Sequence, residues 1–189
     1  MACNSITLNG INSSCESSIG GIVEVYGIPS DYITGVTIAS ATGITQSASG
    51  VTAFGYDETG HTASSWVLFK FRKNSSSMNK TYAHEDSTGY AAFETELTML
   101  FTKMDAAKRA ELVALAKGGA RFIVKDANGL YWYLGKDNDV VVDQLTGQTG
   151  QNVTDGNYYQ VVLKDTAVEL PYEVDPELAK TIAAAIDAA

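Results

Sequence analysis

The chain has 189 residues, a formal net charge of −9 at pH 7, 45% hydrophobic residues and 19% charged residues. This length and composition predict one globular domain over residues 1–189 and exclude an intrinsically disordered chain. The acidic balance argues against a protein that binds nucleic acid, because such a surface needs a basic footprint. The 17 glycines against 3 prolines favour a β-rich chain with many tight turns.

Residues 1–20 are predicted to form an N-terminal arm with a short strand fragment over residues 6–8. The start has neither a basic segment nor an apolar run, so we expect no signal peptide. No window approaches the roughly 20 apolar residues of a membrane span. Cys3 and Cys15 lack CxxC spacing and are interpreted as reduced thiols of a cytosolic product, with a single disulfide in the arm as the alternative.

A long hairpin is the central prediction. A strand is expected first over residues 22–28, followed by short strands and loops over residues 29–64. Residues 66–73 and 82–101 then both alternate with a period of two, which is typical of strands. The apolar face of the second segment is assigned to Phe93, Thr95, Leu97, Met99 and Phe101. The polar face of the hairpin is assigned to Lys70, Arg72, Glu94 and Glu96.

Two helices are predicted. Asp105 is a plausible N-cap and Gly118 a stop, so a helix is expected over residues 106–117, as a lid on the apolar face of the hairpin. The C-terminal helix, within residues 175–189, begins with Asp175 as N-cap and Pro176 at the first helical position. Its apolar stripe is Leu178, Ile182 and Ile186.

A tight hairpin is predicted between the two helices, over residues 121–126 and 130–134. Asn128 and Gly129 at its turn are expected to adopt positive φ. Alternation places Trp132 on the core face, and Tyr131 and Tyr133 on the other face, half-buried or against a partner subunit. Further strands are expected from residue 140, over residues 158–163 and over residues 168–174. The expected fold is mainly β (α+β): a β-sandwich or partial barrel with a long hairpin, one flanking α-helix and a C-terminal helix.

No constellation for catalysis is found, so the chain is not expected to be an enzyme, and no cofactor or metal is expected. The two histidines, His61 and His84, lie in polar stretches. The sequence lacks GxSxG, HExxH and Walker A motifs. Glu94 and Glu96 are weighed as a glycosidase-like carboxylate pair, but a solvated strand face is the interpretation we adopt.

The order of elements is similar to that of the phage tail tube fold, which contractile injection systems and type VI secretion also use. The resemblance is carried by the helix after the hairpin, by the turn Asp126-Ala127-Asn128-Gly129 before Leu130-Tyr131-Trp132-Tyr133-Leu134-Gly135, and by Thr146-Gly147 followed by Asp155-Gly156-Asn157-Tyr158. The opening Ile6-Thr7-Leu8-Asn9-Gly10-Ile11 also resembles tail proteins of phages of gut bacteria. The departure is segment 29–64.

The resemblance implies a structural virion protein of the tail, made and assembled in the host cytoplasm. Its subunits would form stacked, six-membered rings whose long strands close an inner barrel through which DNA passes without specific binding. Other tail or neck proteins would be further partners. Lys70, Arg72, Glu94 and Glu96 would then face the lumen. Tyr131, Tyr133, Leu178, Ile182 and Ile186 would lie between subunits.

Two alternatives stay open at this point. The chain could be a neck, ring or adaptor protein that forms a single ring. It could also be a β-sandwich module that binds glycans or mediates adhesion through Tyr131 and Tyr133, although the missing secretion signal weighs against that.

Overall fold

The computed structural model describes residues 18–39, 50–72, 74–85, 89–152 and 154–188. The predicted strand fragment at residues 6–8 and both cysteines lie outside these residues. The strands are β1 (Ile22–Pro29), β2 (Ile33–Ala39), β3 (Gly50–Tyr56), β4 (Val67–Phe69), β5 (Ser77–Glu85), β6 (Tyr90–Thr102), β7 (Ala120–Asp126), β8 (Tyr131–Leu134), β9 (Val141–Gln148), β10 (Tyr158–Ala167) and β11 (Tyr172–Val174). The helices are α1 (Ala106–Lys117) and α2 (Pro176–Asp187).

The fold is mainly β and sandwich-like, as predicted. In the described part of the chain the strands form a seven-stranded sheet of order β2-β3-β11-β8-β7-β1-β4 and a four-stranded sheet of order β5-β6-β10-β9. All neighbouring strands are antiparallel except β3 and β11, which are parallel. Neither sheet closes into a barrel within these residues.

The predicted pairing of residues 66–73 with residues 82–101 is wrong. The long hairpin of the structure is formed by β5 and β6, and the predicted second strand divides between them, with residues 82–85 in β5 and residues 90–101 in β6. The partner of β6 is β5, which pairs with it without a register shift from Ser77 opposite Thr98 to Glu85 opposite Tyr90. Of the described residues 66–72, only Val67–Phe69 form a strand, and that strand pairs with β1 in the other sheet. The alternation there is real because Phe69 packs into one core and Trp66 and Leu68 into another. Alternation alone does not identify the pairing strand.

The core between the two sheets contains the apolar face predicted for β6. Leu97 and Met99 are fully buried, and Phe101 is 8% exposed. They pack with Phe122 of β7 and Leu163 of β10. The seven-stranded sheet therefore covers this face of the hairpin. Helix α1 adds only Leu112 and Leu115 to the same core, so the expected lid is a minor part of the cover.

Two contacts join β8 and the residue after it to the four-stranded sheet. Lys80 of β5 lies over the ring of Trp132 in β8, with Nζ 3.4 Å from the ring centroid. The backbone N–H of Gly135, just after β8, donates to Asp165 of β10 at 3.3 Å. The segment 132–135 therefore contacts both β5 and β10.

Helix α2 forms a third layer on the outer face of the seven-stranded sheet. Asp175 caps it, since its carboxylate accepts a hydrogen bond from the backbone N–H of Glu177 at 2.9 Å. Ala179 and Ile182 are buried in a second core with Ile123 and Tyr133. The seven-stranded sheet is consequently buried on both faces at its centre.

The turn between β7 and β8 has three residues. The backbone N–H of Asp126 donates to the carbonyl of Leu130 at 2.9 Å. Only Gly129 has positive φ, at 87°, so the expectation that Asn128 shares this conformation is wrong. The Asp126 carboxylate instead accepts the N–H groups of Asn128 and Leu130, and a longer turn closed by glycine satisfies the same strand twist.

Candidate functional site

The side of the four-stranded sheet that faces away from the other sheet is polar, and we call it the polar face. Directly opposite residues of antiparallel strands project to the same side. The register therefore groups two rows of side chains on this face: Asn79, Glu96 and Lys164, and Thr81, Glu94 and Thr166. Glu94 and Glu96 thus lie on one solvated face, as the sequence predicts.

A shallow pocket of about 90 Å³ lies in the middle of the polar face. Lys164 donates to Glu94 across it, with Nζ and Oε2 3.0 Å apart. This hydrogen bond raises the pKa of Lys164 above its ordinary value. The charged groups at the pocket are Glu94, Glu96, Asp143 and Lys164. Three carboxylates and one ammonium group give the pocket a charge of −2.

Lys70 and Arg72 do not lie on the polar face, which corrects their assignment with Glu94 and Glu96. Both follow β4 in the segment that leads to β5, and both are exposed. The backbone N–H of Ser75 donates to the carbonyl of Arg72 at 3.2 Å, which turns the chain before β5 begins. The polar face is therefore more acidic than the sequence suggested.

Tyr131 and Tyr133 are wrongly placed by sequence alternation. Tyr131 is 7% exposed and Tyr133 1% exposed, and both pack in the core beneath α2. Burial raises the pKa of the Tyr133 hydroxyl, which accepts a hydrogen bond from Arg121 at 3.3 Å. Trp132 lies on the opposite side, against the inter-sheet core. The two tyrosines are unavailable to a partner subunit or to a glycan in this fold.

The apolar stripe of α2 is also used within the protomer. Ile182 is 1% exposed, and Leu178 and Ile186 are partly buried against the same core. The structure thus corrects the expectation that this stripe contacts another subunit. The reason is that the seven-stranded sheet has an apolar outer face that α2 must cover.

The four-stranded sheet ends in two long edge strands. Strands β5, with 9 residues, and β9, with 8 residues, each have a single neighbour in the described sheet. A row of backbone N–H and C=O groups therefore points outward along each edge. Such edges are templates for pairing with another chain. The edges and the polar face together are the candidate functional surface.

Sequence reasoning missed two members of this surface, Lys164 and Asp143. The strand over residues 158–163 was predicted to end one residue before Lys164, although alternation continues to Ala167. Asp143 lies in β9 near the register shift opposite Val162 and Leu163. A longer window over β10 would have found Lys164, whereas Asp143 has no local signal.

Across the described residues, no group of three or more histidine, cysteine or carboxylate side chains is arranged to hold a metal ion. None of the described helices is long and apolar enough to cross a bilayer. Comparisons with known proteins give no further identification, since no protein-family model, no curated protein and no solved structure matches the chain.

Proposed function

We propose that this chain is a structural, non-enzymatic subunit of a closed ring of identical copies, in the tail tube of a bacteriophage. The observation that carries the proposal is the pair of long edges on the four-stranded sheet. Pairing β9 of one copy with β5 of the next would satisfy both rows of backbone groups and remove the edges.

The direction of the strands supports this pairing. Strands β5, β6, β10 and β9 alternate in direction, so β5 and β9 of one copy are antiparallel. Rotation about a ring axis that runs along the strands keeps the direction of β5 in the next copy. The new contact would therefore be an ordinary antiparallel ladder, which is geometrically available at every junction of the ring.

The layering supports the choice of the polar face as the lumen. The seven-stranded sheet and α2 cover the other side of the four-stranded sheet, and such bulk fits only on the outside of a ring. Four strands from each of six copies, the number implied by the resemblance, would close a barrel. Its backbone diameter would be roughly 37 Å for strands parallel to the axis and roughly 50 Å at the usual strand tilt of about 40°. An acidic lining would repel phosphates and let DNA pass without specific binding.

The proposed place of the protein is the virion tail, after assembly in the host cytoplasm, with other tail or neck proteins at its ends. The test uses sedimentation and negative-stain microscopy of the purified chain and of two proline variants in β9, Leu145→Pro and Thr146→Pro. N–H groups of neighbouring residues point to opposite edges of a strand, so one of the two prolines blocks the free edge and the other disrupts the ladder with β10.

We expect the unmodified chain to form closed rings. The proline variant that keeps the melting temperature of the protomer should remain monomeric, because it lacks only the outward N–H group. The other variant should melt earlier. A well-folded monomer at every concentration of the unmodified chain, or rings from both proline variants, would contradict the proposal.

A further inference from the structure

The end of the long hairpin extends beyond the rest of the four-stranded sheet, and we call it the tip (residues 81–85 and 89–93). Strand β10 ends opposite Phe93, so residues 90–92 pair only with β5. A two-stranded ribbon in water is only marginally stable. Because β10 does not reach it, the tip is largely exposed to solvent in the protomer.

Aromatic side chains are concentrated on this ribbon. Tyr82 is 54% exposed and Tyr90 42% exposed, on opposite faces of the hairpin. The ring of Tyr82 stands 5.0 Å from that of Phe93 and 6.1 Å from that of His84. The described tip contains no lysine or arginine and one carboxylate, Glu85. The described tip thus presents exposed aromatic rings and one carboxylate.

The opposite end of the same strands carries five cations and the carboxylate of Asp105, which pairs with Lys108. We call this end the base and define it by its cations (Lys70, Arg72, Lys103, Lys108 and Arg109). Lys103 follows the last residue of β6, and α1 with Lys108 and Arg109 begins three residues later. Phe69, just before Lys70, lies 6.3 Å from Phe101 near the same end of β6. Arg72 precedes the start of β5. The first residue of β5 lies eight residues, or roughly 27 Å, from Glu85 at its other end, so tip and base are well separated within one copy.

Tip and base are complementary in chemistry. Arginine and lysine side chains bind aromatic faces by cation–π contact and carboxylates by ion pairing. Both surfaces lie at the ends of strands that would run along the ring axis, so all tips of a ring would point to one side and all bases to the other. A contact between unlike surfaces that does not close on itself produces an open filament.

We propose that the tip of one copy docks on the base of a second copy, so that copies join head to tail along the strand direction. The inference rests on the proposed function, because it names the contact by which the proposed rings stack. Glu85 and the rings of Tyr82 and Tyr90 meet Arg72 and its cationic neighbours. The apolar stripe of α2 cannot supply this contact, because it packs in the core of its own protomer.

The test is a charge swap between two separately purified variants, Glu85→Arg and Arg72→Glu, examined by electron microscopy and sedimentation. In each variant tip and base carry charge of the same sign at this contact, so we expect loss of filaments with rings retained. In an equal mixture, an arginine tip meets a glutamate base and a glutamate tip meets an arginine base. The mixture should therefore restore filaments, which a merely destabilised protomer would not do.

A second variant tests the aromatic part. Tyr82→Ser with Tyr90→Ser should also abolish filaments, whereas Val23→Ser, at an apolar side chain that is 50% exposed on β1, should leave them unchanged.

The outcomes separate the two proposals. If rings of both charge variants form filaments as the unmodified rings do, the inference is overturned and the ring proposal is unaffected. Unmodified rings that never lengthen also overturn it and favour a single-ring adaptor. Open chains that shorten in each variant and recover in the mixture support the inference but contradict closed rings. Monomers alone overturn both.

Discussion

A row of three polar side chains crosses the interior of the sandwich at the level where the tip begins. Lys80, Thr95 and Asp165 are neighbours on the inner face of β5, β6 and β10. Burial lowers the pKa of Lys80, whose ammonium group lies over Trp132. Burial raises the pKa of Asp165, which is 3% exposed. These residues end the apolar core and prevent it from continuing under the tip.

Asp165 is predicted to make stability fall as pH rises. Its Oδ2 accepts from Gly135, but its Oδ1 has no hydrogen-bond partner among the described residues. Because its pKa is higher in the folded chain than in the unfolded chain, the folded state holds this proton more tightly, and the cost of ionisation appears as pH rises through the raised value. Asp165→Asn should therefore be more stable than the parent chain at pH 8, by about 1–3 kcal/mol.

That difference should shrink on acidification and disappear below the ordinary value of 3.8. Urea unfolding of both proteins between pH 2 and pH 8 measures this difference. Asp155→Asn is the control of opposite sign, because hydrogen bonds from the backbone N–H groups of Asn152 and Gln151 lower the pKa of Asp155. Its substitution should destabilise at neutral pH, with a deficit that fades as pH falls through the lowered value. Parallel pH profiles for the Asp165 variant and the parent chain would rule out a buried ionised Asp165.

At the scale of elements, α2 belongs to the protomer. It buries Ala179 and Ile182 against the seven-stranded sheet and packs beside the short 3-10 turn at Ala63–Ser65. A sheet with apolar side chains on both faces needs a cover on each, and the four-stranded sheet supplies only one. Removing α2 would therefore unfold the sheet before it affected assembly.

Ile182→Ala should destabilise the protomer by about 2–5 kcal/mol, since it leaves a cavity in a packed core. Lys180→Ala on the exposed side of α2 is the matched control and should change the free energy of unfolding by no more than about 0.5 kcal/mol. Chemical unfolding of the proline-blocked monomer isolates this effect from assembly. Equal denaturant midpoints for Ile182→Ala and Lys180→Ala would mean that the stripe does not stabilise the protomer, and would favour a contact between subunits instead.

Local signals predicted some elements and failed for others. The bounds of α1 follow from Asp105 and Gly118, whose effects act within one turn of helix. The start of β5 was missed because residues 77–80 are polar and show no apolar alternation. These residues form a strand because their backbone pairs with β6, and a local sequence pattern does not report such pairing. Glu94 and Glu96 were placed correctly on a solvated face because a period of two assigns a common side. A period of two does not indicate which face of the tight hairpin packs against α2, so Tyr131 and Tyr133 were assigned to the wrong environment.

At the scale of the whole molecule, the layers formed by the described residues leave one large polar sheet face. The order from one side to the other is polar face, inter-sheet core, seven-stranded sheet, second core and α2. Lys80, on the edge strand β5, points inward to Trp132. An inward-pointing charge on an edge strand discourages indiscriminate pairing, which fits an edge reserved for one partner. The net charge of −9 then adds repulsion towards nucleic acid over the whole surface.

The charge of the polar face should decide whether assembled rings retain DNA. Replacing Glu94 and Glu96 by lysine changes the charge at the pocket from −2 to +2 per copy, counted over Glu94, Glu96, Asp143 and Lys164. Lysines that neutralise phosphates release counterions, so binding to DNA should appear and weaken steeply with salt. Fluorescence anisotropy with labelled duplex DNA at several salt concentrations measures this, and unmodified rings should show no binding at physiological salt.

Two controls test whether the effect belongs to the proposed lumen. Glu94→Gln with Glu96→Gln removes the carboxylates without adding cations, and its rings should bind weakly or not at all. Glu111→Lys with Glu177→Lys adds the same number of positive charges on α1 and α2, outside the polar face. If that outer variant retained DNA as strongly as the inner one, charge on the polar face would have no special role. Because a lumen encloses its cargo on all sides, the inner variant should instead bind more tightly for the same added charge.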